Sequence, residues 1–291
     1  MTERSETQPG GGAHHDLDAV LAEERELMNF YAPNYRALQF FNSYYYQQER
    51  RCFVDWILKT VRAAGRDPAG LAFLDVGSGT GEILEPLAAA GCANLTGIDI
   101  AEKMITESKR HVPGARLVHD SLERHDWGEE RFDVITACLT VHHMCEPAAF
   151  FRFADRHLSP GGWFFLMEYN RGGWGHESPL AKPIGWLMTP LRKAIKIKNR
   201  GPISRLPSAP PLFNHAHDIL RFRDILDAMP ERENYEIKRY TRGIFVPTLT
   251  NALVPDSRAD RAVYRVLSVV DRIAEPFQAG YMQGVGARRL R

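Results

Sequence analysis

Leu74-Asp75-Val76-Gly77-Ser78-Gly79-Thr80-Gly81 is the stretch whose reading decides the fold. In front of it, LAFLDV (71–76) reads as a short buried strand; behind it, ILEPLAAAG (83–91) reads as a helix that stops at Gly91. A glycine-rich turn between strand and helix lets the backbone approach a ligand closely, and the helix N-terminus offers unpaired amides and a partial positive charge. A carboxylate or phosphate is favoured there. A dinucleotide site wants G-x-G-x-x-G, but the third glycine would fall on Glu82. The pattern is G-x-G-x-G with Asp75 at the strand end. That acid repels a pyrophosphate and can bind an ammonium, which suits a zwitterionic amino-acid tail. The missing G-K-[ST] excludes a P-loop.

Outward from this loop, strands and helices alternate. NLTGIDI (94–100), ARLVHD (115–120), RFDVITACL (131–139) and WFFLMEY (163–169) read as strands. AEKMITESKRH (101–111) and PAAFFRFADRHL (147–158) read as helices, the latter closed by Pro160-Gly161-Gly162. This alternation predicts a parallel sheet covered on both faces. Upstream, residues 17–63 read as helical, with Leu17, Val20, Leu21 and Met28, and then Cys52, Phe53, Trp56, Ile57 and Val61, at helical spacing. Downstream, 216–229 and 259–274 read as helices, and 235–241 and 280–288 as strands. Asp99 ends the second strand 22 residues after Gly77, where an acid chelates two ribose hydroxyls. Met104 can lie against a purine face. Asp120-Ser121-Leu122, after the third strand, offers a carboxylate for an adenine amino group and a backbone amide for a ring nitrogen.

With those residues in place, the sequence resembles the class I S-adenosylmethionine-dependent methyltransferases. LDVGSGTGE, LTGIDIAEKMI, HDSLE, FDVITACLTVHHM and LSPGGWFFLMEYN carry the resemblance over about 72–170, in the family's order and spacing. The resemblance implies a Rossmann-like α/β fold with a seven-stranded sheet, six strands parallel and the last antiparallel. It also implies S-adenosyl-L-methionine as cofactor, laid across the C-terminal strand edges. Gly77 and Gly79 would approach the methionine moiety, Asp99 the ribose and Asp120 the adenine. Asp75, Ser78, Gly81, Ile100, Met104, Ser121, Leu122 and Cys138 complete the expected cofactor contacts. The implied domain plan is a tail (1–15), an N-terminal helical cap (16–66) and a methyltransferase domain (67–291) with a helical insertion or lid at 170–230.

Methyl transfer is an in-line displacement, so alignment of the acceptor matters most, and a hydroxyl acceptor must also lose a proton. In this family the loop after the fourth strand faces the transferable methyl. Thr140-Val141-His142-His143 looks like the Val-Leu-Glu-His run of quinone O-methyltransferases, with His142 in place of the glutamate. That departure puts a metal-assisted mechanism in doubt. Histidine titrates near neutrality, which makes His143, and secondarily His142, the candidate general bases; a helix-capping or cofactor-contacting role is the alternative. No third ligand accompanies the two histidines, so no metal site is expected. Glu168 and Asn170, at the end of the fifth strand, are candidate acceptor contacts. So are Tyr31, Tyr35 and Tyr45, from a run of five tyrosines in sixteen residues whose other reading is helix packing.

From Ser178 through His217 there is no acidic residue, while Lys182, Arg192, Lys193, Lys196, Lys198, Arg200 and Arg205 fall in that span. GWLMTPLRKAIKIK (185–198) mixes apolar and basic residues, as a lid, a peripheral membrane contact, or a surface for an anionic or carrier-linked substrate would. The whole chain of 291 residues holds 37 Lys and Arg against 36 Asp and Glu, a formal charge of +1. No global basic field for nucleic acid exists, and the Asn-Pro-Pro-Tyr type of motif that accompanies base or amide methylation is absent after the fourth strand. No run approaches the roughly 20 apolar residues of a membrane span, and residues 1–12 have no apolar signal core. Cys52, Cys92, Cys138 and Cys145 form no CxxC pair and read as reduced thiols of a cytoplasmic protein. Three functions follow. The first is methylation of a small-molecule hydroxyl in secondary-metabolite or glycan synthesis. The second is methylation of a membrane-associated quinone or polyprenyl-linked precursor. The third is a non-catalytic cofactor-binding partner. The sequence leaves the oligomeric state open.

Overall fold

The structure, a computed structural model, describes residues 17–37, 44–144, 146–169, 226–242 and 282–290, with 258, 261, 262, 264–266, 268 and 269. Seven strands form one sheet: β1 (Ala72–Val76), β2 (Asn94–Asp99), β3 (Arg116–His119), β4 (Phe132–Cys138), β5 (Leu158–Tyr169), β6 (Tyr235–Arg242) and β7 (Met282–Arg289). Their order is β3-β2-β1-β4-β5-β7-β6. β1 to β5 pair in parallel, and β7 runs antiparallel to both β5 and β6, so six strands share one direction. This is the sheet that the family resemblance implies. The strand order reverses between β1 and β4, and at such a switch point the loops leaving the strands' C-terminal ends part to form a crevice.

The strands are apolar on both faces because both are covered. Along β1, Leu74 and Val76 enter one core cluster and Phe73 the other. β5 divides in the same way, with Phe164 and Leu166 on one side and Trp163, Phe165 and Met167 on the other. This period of two is the pleat of a strand buried on both sides. Of the helices, α1 (Leu17–Tyr31) and α2 (Tyr44–Ala63) make the N-terminal cap, joined in part by a 3₁₀ turn at Ala32–Ala37. They are followed by α3 (Leu84–Ala89), α4 (Glu102–His111) and α5 (Pro147–His157). α2 buries Phe53, Val54, Ile57, Leu58 and Val61 in the β1–β5 core, as its periodicity predicts.

Three details beyond the sequence reading have clear physical causes. α3 starts at Leu84, beyond the glycine turn, because Gly81 N–H closes a turn onto Ser78 O at 2.8 Å and the Glu82 carboxylate accepts from Thr80 N–H at 3.1 Å. Strand five begins at Leu158, five residues early. Leu158 pairs with Phe132, the chain loops out through Ser159–Gly162, and pairing resumes at Val134↔Trp163. The aromatic stretch between the cap helices includes Tyr46, which is fully buried core, so that tyrosine is packing. The tail at 1–15 lies outside the described residues, as do all but 226–230 of the insertion at 170–230. Of the expected helix 216–229 only 226–229 are described: Leu226 and Asp227 are helical, the chain turns at Ala228, and Met229 lies beyond the helix; the described residues of 259–274 are helical.

Candidate active site

Gly77 leaves β1 at φ +64°, and a β-carbon on it would lie 2.3 Å from Thr140 Cγ2. The turn after β1 and the turn after β4 therefore touch, and only glycine fits between them. Leu139 takes the left-handed region as well, at φ +56°, while its N–H donates to Met167 O at 2.7 Å. Such strain in a branched side chain at a crevice is held by the surrounding packing.

Between these turns lies the main cleft. One end is apolar, walled by Ile98, Ile100, Met104 and Leu122. Asp99 stands beside it, 8% exposed, its two oxygens accepting from Gly79 N–H and Ala101 N–H, both at 2.9 Å. Burial pushes the Asp99 carboxyl up to about 6, against the pull of those two amides. Asp120 lines the same end, one oxygen accepting its neighbour Ser121 N–H at 2.8 Å and the other 3.2 Å from His125 Nδ1. Ser121 Oγ is buried on the cleft wall without a hydrogen-bond partner among the described residues. Asp75 is 2% exposed and faces a smaller adjoining pocket with Tyr35, Arg50, Ser78, Gly79 and Glu82. Thr136 Oγ1–H donates to Asp75 at 2.7 Å, yet burial drives its carboxyl up to about 8, and Glu82 and Asp99 add to the rise. A neighbouring ammonium would reverse that.

The donor set fits the expected cofactor. Glu24, Asp99, Asp120 and Glu123 line the main cleft, and no lysine or arginine does so among the described residues. Such a wall disfavours a phosphate and favours a sulfonium cation. The apolar end would take a purine, Asp99 the ribose hydroxyls, and Asp120 with the orphaned Ser121 hydroxyl the base edge. The adjoining pocket offers Asp75 to an amino group and Arg50 to a carboxylate.

The expected site residues separate into groups. Gly77, Gly79, Asp99, Ile100, Met104, Asp120, Ser121, Leu122, Cys138, Tyr35 and His143 all line the main cleft. Asp75 and Ser78 line the adjoining pocket. Gly81 is a correction: its missing β-carbon makes room for Ser108 Oγ and Val112 of the α4 end, at 2.9 and 3.0 Å, so it packs α4 and does not meet the cleft. Glu168 is another. It is wholly buried under the turn after β4 and accepts Thr140 N–H at 2.8 Å, Val141 N–H at 2.6 Å and His142 Nδ1 at 2.6 Å. A carboxylate so enclosed holds the turn and cannot contact an acceptor. His142 is therefore bound away from the cleft that His143 lines. Burial alone would lower the His142 pKa; the Glu168 charge overrides it and holds the imidazole above its ordinary range. Tyr31 lies outside both pockets, its ring edge-on to Phe30 at 5.3 Å. The Tyr45 side chain and Asn170 lie outside what is described.

The cap adds residues that motif reading missed. Leu21, Glu24 and Met28 of α1 line the cleft at i, i+3 and i+7, and the helical period of Leu21 and Met28 was the available signal. Arg36 reaches into the glycine loop, donating to Thr80 O at 2.7 Å, Thr80 Oγ1 at 2.9 Å and Glu85 at 2.7 Å. No local pattern marks it.

Sheet order, acid-walled cleft and glycine turn together match what a methyltransferase of this fold would need. A family described as "Methyltransferase domain" matches residues 74–166. The ubiquinone biosynthesis O-methyltransferase of Methylobacterium sp. (strain 4-46) is 38% identical over 120 residues, 38% of this chain and 48% of that one. That of Paramagnetospirillum magneticum (strain ATCC 700264 / AMB-1) is 33% identical over 175 residues, 54% of this chain and 69% of that one. The chain spans about half the length of the first of these curated relatives. Among solved structures, the plantazolicin methyltransferase BamL, in complex with a triazolic desmethylPZN analog and SAH, superposes with a TM-score of 0.54. It is 13% identical and covers 95% of this chain and all of that one, a likeness of fold. The chain belongs to the class I S-adenosylmethionine-dependent methyltransferases, enzymes whose cofactor is S-adenosylmethionine.

Proposed function

We propose that this protein methylates a hydroxyl oxygen of a small aromatic acceptor, of the type that quinone synthesis uses. The names of the curated relatives favour a quinone precursor over a secondary-metabolite or glycan hydroxyl. The observation that carries the reading is His143, on the cleft wall where β4 ends, next to the Gly77–Thr140 contact. When bound, the cofactor would supply an electrophilic methyl group on a sulfonium, with a neutral thioether as leaving group. His143 takes the acceptor's hydroxyl proton and later releases it to solvent; such a base is worth about 10²–10⁴ in rate. Glu168, through the amides of Thr140 and Val141, fixes the turn that carries His143. The position the family resemblance gives to glutamate is His142, whose Nδ1 is committed to Glu168, so the reading is base-assisted.

The test is transfer of labelled methyl from S-adenosylmethionine to catechols and prenylated phenols, with His143→Ala as the base-deficient control. Turnover that falls by 10²-fold or more in the variant supports the base. Cofactor binding without transfer to any hydroxyl would leave the non-catalytic partner reading. A lipophilic acceptor also suits the basic-apolar segment 185–198, which lies outside the described residues. Co-sedimentation with anionic vesicles checks a membrane contact there. Among the described residues no helix is long and apolar enough to cross a membrane.

A further inference from the structure

We propose that Glu24 is a positioning residue for His143, so that the base is a pair built from two distant parts of the chain. This rests on the reading of His143 as base. His143 Nδ1 lies 3.1 Å from Glu24 Oε2, within ion-pair range but off the angle of a hydrogen bond, and the two side chains are 26% and 13% exposed. Glu24 sits on the face of α1 that also carries Leu21 and Met28 into the cleft. Placing a carboxylate on that apolar face costs desolvation energy, which a nearby imidazole offsets.

The other carboxylate of the region is not available to His143. Glu168 is spent on His142 and two backbone amides. The two imidazoles lie with ring centroids 4.0 Å apart, so each has its own glutamate, one from β5 and one from α1. The place of Glu24 is itself fixed. Asp18, on the first turn of α1, pairs with Arg124, and Asn29, near its other end, accepts Lys103 N–H at 2.9 Å. A helix tied at both ends across the cleft holds the carboxylate where the ring needs it.

The chemical consequence is a choice of tautomer. With a carboxylate beside Nδ1, the proton of the neutral ring belongs on Nδ1, and the basic lone pair is on Nε2. A neutral imidazole left to itself prefers the proton on Nε2, which is the wrong tautomer for a base acting through that atom. In a ligand-free site such contacts are loosely aligned and tighten on loading.

The experiment uses the full chain saturated with S-adenosylhomocysteine. Nitrogen-15 histidine spectra are recorded for wild type, Glu24→Leu and Glu24→Asp. Long-range proton–nitrogen correlations are expected to show His143 protonated on Nδ1 in wild type and in Glu24→Asp, and on Nε2 in Glu24→Leu. A wild-type ring protonated on Nε2, or one unchanged in Glu24→Leu, overturns the proposal. In parallel, turnover is read with catechol as acceptor. Glu24→Leu is expected to lose about 10- to 100-fold in kcat, part of the effect of removing the base. Glu24→Asp should recover part of that loss, and affinity for S-adenosylhomocysteine should stay within about twofold in both. Lost affinity with unchanged kcat at saturation would make Glu24 a lid residue only and overturn the proposal. Loss of activity in His143→Ala but not in Glu24→Leu sinks the pair and leaves the base. A wild type inert toward catechol removes support from the hydroxyl-acceptor reading, and the spectra still decide the pair.

Discussion

Thr140 fills the space that a β-carbon on Gly77 would need; its Cγ2 would be 2.3 Å away. This contact joins the loop expected to hold the cofactor's amino-acid tail to the turn that carries the candidate base. Gly77→Ala should therefore impair both. The positive φ and the clash together predict a loss of about 1–3 kcal/mol in stability. S-adenosylhomocysteine affinity should fall with it, measured by denaturation and titration calorimetry. Thr140→Ala in the same chain should restore part of the loss by opening the space.

Asp75 gives a prediction of opposite signs. Its folded carboxyl is raised to about 8 by burial, far above the usual range. A raised carboxyl binds a proton more tightly folded than unfolded, so its stabilisation is complete below about pH 4 and is lost as pH rises through 8. Asp75→Asn should then stabilise the cofactor-free protein by about 1–3 kcal/mol above pH 8 and by almost nothing near pH 4. It should at the same time weaken S-adenosylmethionine binding about tenfold or more, by removing the partner of the amino group. Equal cofactor affinity in the two proteins would take Asp75 out of the site.

Glu168→Gln removes the charge on which the turn after β4 is built. A loss of about 2–4 kcal/mol is expected near pH 6, read from urea unfolding. The pH dependence has a definite sign. His142 is held above its ordinary pKa, so the pair's stabilisation is complete below about 6.5 and is lost as pH rises through the raised folded value. The gap between wild type and variant should narrow from pH 6 to pH 9; a constant gap would mean the amide bonds alone matter.

Arg36 ties the cap to the glycine loop through Thr80 and Glu85. Arg36→Ala should weaken S-adenosylhomocysteine binding by about tenfold while the sheet still folds, because the side chain is 32% exposed and outside the core. Arg36→Lys should not recover it, since one ammonium cannot reproduce a fork that meets a hydroxyl, a carbonyl and a carboxylate together.

The sequence by itself determined the sheet. Short apolar runs that alternate with helical segments are local properties, and they placed all seven strands to within a few residues except the start of β5. There Pro160-Gly161-Gly162 reads as a break, and only pairing with β4 shows that the strand resumes on either side of it. The grouping of residues at the cleft was legible for the same reason. Gly77, Gly79, Asp99 and Asp120 sit at strand ends, and a parallel sheet brings those ends to one edge. What only the tertiary structure decided are contacts between residues far apart in the chain. Glu168 reads as a ligand contact until the turn of Thr140–His142 closes over it and consumes its lone pairs. Gly81 reads as part of the loop until α4 packs against it. Glu24 and Arg36 carry no motif at all, because the cap's place over the cleft is set by burial of helix faces and not by any local pattern. Local chemistry marked which residues could bind a nucleoside; packing fixed which of the charged ones line the cleft and which hold the others in place.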